Sequence, residues 1–74
     1  MIGAVDYTMA TAIECRTPED AARLALALEY AGYACAASHR VVDTSASELE
    51  ARTVATRLVA RGSISEPCFY LDAY

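Results

Sequence analysis

Seventy-four residues carry ten acidic side chains against six basic ones, all arginine, for a net charge of −4, and this length holds one domain, residues 1–74. Size scaling gives roughly 4,400 Å² of folded surface against about 11,500 Å² unfolded, so burial reaches only about 60% and leaves little volume for a polar catalytic pocket. The charge balance excludes the Lys/Arg footprint of a nucleic-acid binder and the polybasic patch of a protein held on an anionic membrane; the net field draws basic surfaces instead.

Residues 2–15 alternate, with Val5, Tyr7, Met9, Ile13 and Cys15 on one side and Ala4, Asp6, Thr8, Ala10 and Glu14 on the other. Period 2 with β-branched and aromatic members predicts a half-buried strand. Thr17-Pro18-Glu19-Asp20 follows: Thr17 suits an N-cap, Pro18 the first helical position, and Asp20 the third, near the positive helix end. With Gly32 as the stop, the spacing predicts a helix over 18–31 whose core stripe is Ala21, Leu24, Ala25, Leu28 and Ala31.

Residues 33–42 alternate again. Tyr33, Cys35, Ala37, His39 and Val41 share one side, and a second strand is expected. After the loop Asp43-Thr44-Ser45, either Ser45 with Glu48 or Ser47 with Glu50 forms a capping box. A second helix then runs to about Arg61 and stops at Gly62, burying Ala51, Val54, Ala55, Leu58 and Val59 and leaving Glu50, Thr53, Arg57 and Arg61 outside. In the tail, Phe69, Leu71 and Ala73 are expected inward and Cys68, Tyr70, Asp72 and Tyr74 outward, while Pro67 restricts this third strand to an edge or to a start after the proline. The expected architecture is α+β, a two-layer β-α-β-α-β order with a three-stranded sheet and two helices packed on one face.

The longest charge-free run, Tyr30 to His39, is far short of the ~18 apolar residues of a spanning helix. Met1 to Tyr7 has no basic residue before an apolar stretch and so does not read as a signal peptide. A cytoplasmic protein is expected, its three cysteines reduced and behaving as small hydrophobes.

The residues that could carry chemistry have structural explanations. Cys15, Cys35, Cys68 and His39 are zinc-ligand types, but the one close pair, Cys35 and His39, would stand about 13 Å apart along a strand. Cys15, beside Arg16 and the helix cap, is the best nucleophile candidate, but a core-facing strand-end thiol explains it better. Glu19-Asp20 and Glu48/Glu50 open helices, where acids belong for capping alone. No glycine-rich phosphate loop is present. The reading is no enzyme, no cofactor and no metal.

What remains is surface. Leu26 and Tyr30, with Glu29, lie on the helix face opposite the core stripe, and Tyr70, Asp72 and Tyr74 form an outward row in the tail. Both rows combine aromatic and acidic groups, as in contact patches that meet Arg/Lys-rich partners. Thr17-Pro18-Glu19-Asp20-Ala21-Ala22 through Glu29-Tyr30-Ala31-Gly32-Tyr33 resembles the strand-to-helix crossover of small ferredoxin-like modules, including regulatory ones. The chain as a whole, very short, acidic and without a catalytic motif, resembles the anti-CRISPR proteins of phages, which share no common motif. That resemblance implies an inhibitor that covers a basic DNA-binding surface of a CRISPR–Cas surveillance complex; the chain itself is expected to be a monomer or a weak homodimer. The alternative is a ferredoxin-like regulatory or self-associating module.

Overall fold

Thr17 begins the first helix as the sequence requires. Its side chain accepts the Asp20 N–H at 3.0 Å, and Pro18 occupies the first turn of α1, Pro18–Tyr30, where a missing N–H is harmless. At the far end Gly32, with φ +102°, lets the Tyr33 N–H reach Leu28 O at 3.0 Å and its own N–H reach Glu29 O at 3.0 Å. This double closure satisfies carbonyls that the helix leaves open. The second helix, α2, Glu48–Ala60, ends in the same way at Gly62, with φ +75°.

Ser47, and not Ser45, caps α2. Its hydroxyl accepts the Glu50 N–H at 3.2 Å, and Glu50 Oε1 accepts the Ser47 N–H at 2.8 Å, a complete capping box. The Ser47 backbone bond, then the Ser47 and Tyr33 side chains, hold the Glu50 carboxyl below its usual 4.5, and the bond to Glu50 in turn raises the Tyr33 phenol. A depressed carboxyl contributes stability above its unfolded value and loses it as pH falls through the folded one. Urea midpoints measured from about pH 6 to about pH 3 should therefore fall less steeply in Glu50→Ala than in the parent chain. Parallel acid limbs would show that the box does not respond to protonation.

The computed structural model describes residues 9–71. Besides the helices it has β1, Thr11–Glu14; β2, Cys35–Ser38; β3, Val41–Thr44; and β4, Cys68–Leu71. Neighbours run antiparallel in one four-stranded sheet of order β2-β3-β1-β4. The chain is thus α+β with four strands among the described residues, one more than the alternation predicts. β1 and β2 are not neighbours, since β3 lies between them. The element order βαββαβ is that of the split βαβ, ferredoxin-like, motif. Of the first predicted strand only Thr11–Glu14 forms β1, and its earlier part over 2–8 lies outside the described residues.

The extra strand arises at His39 and Arg40. Ser38 pairs with Val41, so the predicted strand over 33–42 is a hairpin with a two-residue loop. His39 takes φ +55°, the left-handed geometry that tight hairpin loops need at their first position. The turn reverses the assignment of faces: Ala37 pairs with Val42, and fully buried Val42 takes the core side while Val41 lies on the other. His39 is exposed at the hairpin tip, not covered by a helix.

Ile13 and Val42, register partners, join Leu24 and Leu28 of α1, Ala51 and Ala55 of α2 and Ile64 in one core, with Phe69, Val54, Leu58 and Val59 packed around it. Ala31 is the exception in the predicted stripe. It caps α1 with its own N–H bonded back into the helix and is exposed, because α1 ends before that position can turn inward. β4 begins at Cys68, directly after Pro67, and occupies a sheet edge, where an absent N–H leaves no ladder bond unmade.

Two threonines sit in the core face. Thr11 donates to Ala46 O at 2.7 Å, and Thr44 donates to Ala34 O at 2.9 Å while accepting the Ala46 N–H at 3.2 Å. Buried hydroxyls need such partners, and these bonds tie the loop before α2 to β1 and β3, and β3 to the residue before β2.

Candidate functional site

α1 turns a second apolar row outward. Its core side is filled by Ala21, Leu24, Ala25 and Leu28, while Leu26 is 55% and Tyr30 86% exposed. Glu19 and Glu29, both exposed, stand on the same outward part of the helix. Helical spacing sets Glu29 on the side of Leu26 away from α2, toward β2. Desolvation and then the Glu29 charge raise the Cys35 thiol, as expected if Glu29 leans toward that strand.

On the other side of Tyr30 a groove of about 340 Å³ runs between the helices. Ala27 and half-buried Val54 and Leu58 line it, and Tyr30, Arg57 and Arg61 border it. Small alanines on α1 leave this space. Among the described residues the other arginines with charged partners are Arg23 near Asp20 at 4.0 Å, Arg40 with Glu14 at 3.0 Å and Arg52 with Glu48 at 2.7 Å. No such ion pair holds Arg57 or Arg61, which stand one turn apart at the end of α2. Across this face the order is therefore acid, apolar, aromatic, groove, base.

The predicted tail row is not joined to it. Tyr70 belongs to β4 and pairs in register with Ala12, at the sheet edge remote from β2 and β3, the strands against which α1 packs. Asp72 and Tyr74 lie outside the described residues. Leu26, Glu29 and Tyr30 thus share one surface, and the structure does not bring Tyr70 to it. Sequence reading missed Arg57 and Arg61 as members of this surface; their i, i+4 spacing without an acidic residue at matching positions was the available signal. It also missed exposed Leu49, at 75%, which rides the first turn of α2 between Glu48 and Glu50.

A second hollow, of about 220 Å³, lies between α2 and the start of β4. There the Arg52 guanidinium sits 4.5 Å from the Phe69 ring centre and is held by Glu48, so its charge is already engaged.

The candidate chemistry disperses in space. Burial first, and then the Asp20 charge, push the Cys15 thiol up to about 11, the opposite of what a nucleophile needs. Cys35 pairs in register with Thr44, to which its thiol donates at 3.3 Å; Cys68 is exposed opposite Glu14; His39 is at the hairpin tip. Among the described residues no three His, Cys, Asp or Glu side chains stand together as a metal set. No helix among them is long and apolar enough to cross a membrane. Compared with protein-family models, curated proteins and solved structures, the chain matches none.

Proposed function

We propose that this chain is a non-enzymatic protein-binding module that acts by occupying a basic surface of its partner, in its narrowest form the DNA-binding surface of a CRISPR–Cas effector, as in the anti-CRISPR proteins it resembles. The observation that carries the reading is the outward row of α1. Leu26 and Tyr30 stay in solvent at 55% and 86% exposure while Ala21, Leu24, Ala25 and Leu28 of the same helix fill the core. Large apolar groups grouped with charged neighbours mark contact surfaces, and tyrosine offers wide contact area at low rotamer cost. The reading takes α1 and α2 as one layer on the sheet, with Leu26, Glu29 and Tyr30 on its outer side. Glu19 and Glu29 supply the attraction toward Arg and Lys, consistent with a net charge of −4.

A photo-crosslinking amino acid at position 30, expressed in the native host, should trap a discrete partner protein that the same probe at exposed Arg16 does not, and Leu26→Asp should abolish the adduct. Equal labelling from both positions overturns the reading. If the trapped protein is not a CRISPR–Cas subunit, the narrow form falls and the module stands. The second reading, a self-associating module, is favoured by one observation: the same face carries Arg57 and Arg61 as well as Glu19 and Glu29.

A further inference from the structure

We infer that, when no other partner is bound, the helix face of Leu26, Tyr30 and the α1–α2 groove is covered by a second copy of the same chain, with Glu19 and Glu29 of each copy set against Arg57 and Arg61 of the other. The inference rests on the reading of this row as a contact face and names its occupant. Its basis is charge complementarity within a single patch. A two-fold axis lying in the plane of the contact and running along the helices brings the two flanks of the same patch together, residue i against j and j against i. A face of one sign repels itself under that operation, whereas a face with acid on one flank, base on the other and apolar groups between is matched to its own copy.

The described residues have this order. Glu29 lies on the β2 side of Leu26, Tyr30 borders the groove, and the two arginines stand beyond it. Arg57 and Arg61 have no ion pair among the described residues, so pairing with a second copy breaks no existing bridge. The apolar centre is supplied by Leu26 and Tyr30, and half-buried Val54 and Leu58 lie below the groove.

Size sets the strength. Two helices of 13 residues, each about 20 Å long and spaced about 10 Å apart, present a face of about 400 Å² per copy. That area falls below a standard interface, in the range of weak, transient contacts. Because charge pairs at the rim contribute, salt weakens the association.

Sedimentation velocity across concentrations up to about 1 mM tests the inference with a charge exchange. The parent chain should rise in mass from monomer toward dimer as concentration increases. Glu19→Arg/Glu29→Arg and Arg57→Glu/Arg61→Glu, all on exposed positions, should each weaken association about tenfold, with circular dichroism confirming that both fold. Their equimolar mixture should recover the parent behaviour, since each copy then meets an opposite charge. Tyr30→Ser should weaken association without changing its salt dependence. A parent chain that stays monomeric throughout overturns the inference, as does association that survives the arginine reversal or a mixture that fails to recover. A monomer that still gives a specific adduct from position 30 removes the second copy and leaves the contact face intact; a dimer with no such adduct does the reverse.

Discussion

Leu28→Ala should remove a large part of the stability of the folded chain. Leu28 is fully buried, and among the described residues the large apolar side chains at full burial are only Ile13, Leu24, Leu28 and Val42. Much of the remaining core is alanine, at positions 21, 25, 46, 51 and 55, which cannot expand into a vacated volume. Removing three carbons from such a site costs about 2–5 kcal/mol through lost transfer energy and the cavity left behind. A domain of this length has a total stability of about 4–11 kcal/mol, so the loss takes from about a fifth of it to all of it. Urea unfolding followed by circular dichroism should show a large drop in midpoint or no cooperative transition. Exposed Leu26→Ala serves as the control and should move the midpoint by less than about 0.5 kcal/mol equivalent. A loss below about 1 kcal/mol in Leu28→Ala would mean that the helix does not rest on this residue.

The second large effect is expected at Asp20. Its side chain is only 10% exposed and accepts the Ser65 N–H at 3.0 Å, fastening the chain between α2 and β4 to the first turn of α1. A buried, charge-assisted bond to a backbone N–H is worth about 1.5–3 kcal/mol, and the nearby helix N-terminus adds to it. Asp20→Ala leaves that N–H unmet and should lower stability by about 2–3 kcal/mol. Asp20→Asn keeps an acceptor and should lose about half as much. The arginine beside it matters far less. Arg23 stands 4.0 Å from Asp20 with its side chain 61% exposed, so Arg23→Ala should change stability by less than about 1 kcal/mol; a result reversing this order would assign the staple to the Arg23 bond to Ser63 O.

Both helices were legible because their signals are local. Thr17, Pro18 and Gly32, or Ser47, Glu50 and Gly62, act on backbone groups within a turn of themselves, and the sequence alone could not choose between Ser45 and Ser47. The hairpin was hidden for a physical reason. A two-residue loop adds no break in the alternation, and His39 occupies a conformation usually announced by glycine or asparagine, though histidine tolerates it more than most residues. Side-chain period therefore ran unbroken through a reversal of direction, and Val41 was set on the wrong face. The polar run Ser38-His39-Arg40 was the trace it left. Half of the contact face, Leu26 with Glu29 and Tyr30, followed from the helical period. Arg57 and Arg61 did not, because which side of α2 meets α1 depends on packing between elements.

The position of β1 governs how the chain assembles. Ile13 is paired with Val42 on one side and Phe69 on the other, so an early segment has to wait for almost the last one. The hairpin of β2 and β3 can close as soon as it is made, but the central strand gains its outer neighbour only after α2 is complete. Ladder partners so distant along the polymer raise the contact order and slow the search for the native state. During that delay the unmatched border of β1 lacks its ladder partner, and it is closed only when residues 68–71 pair with it.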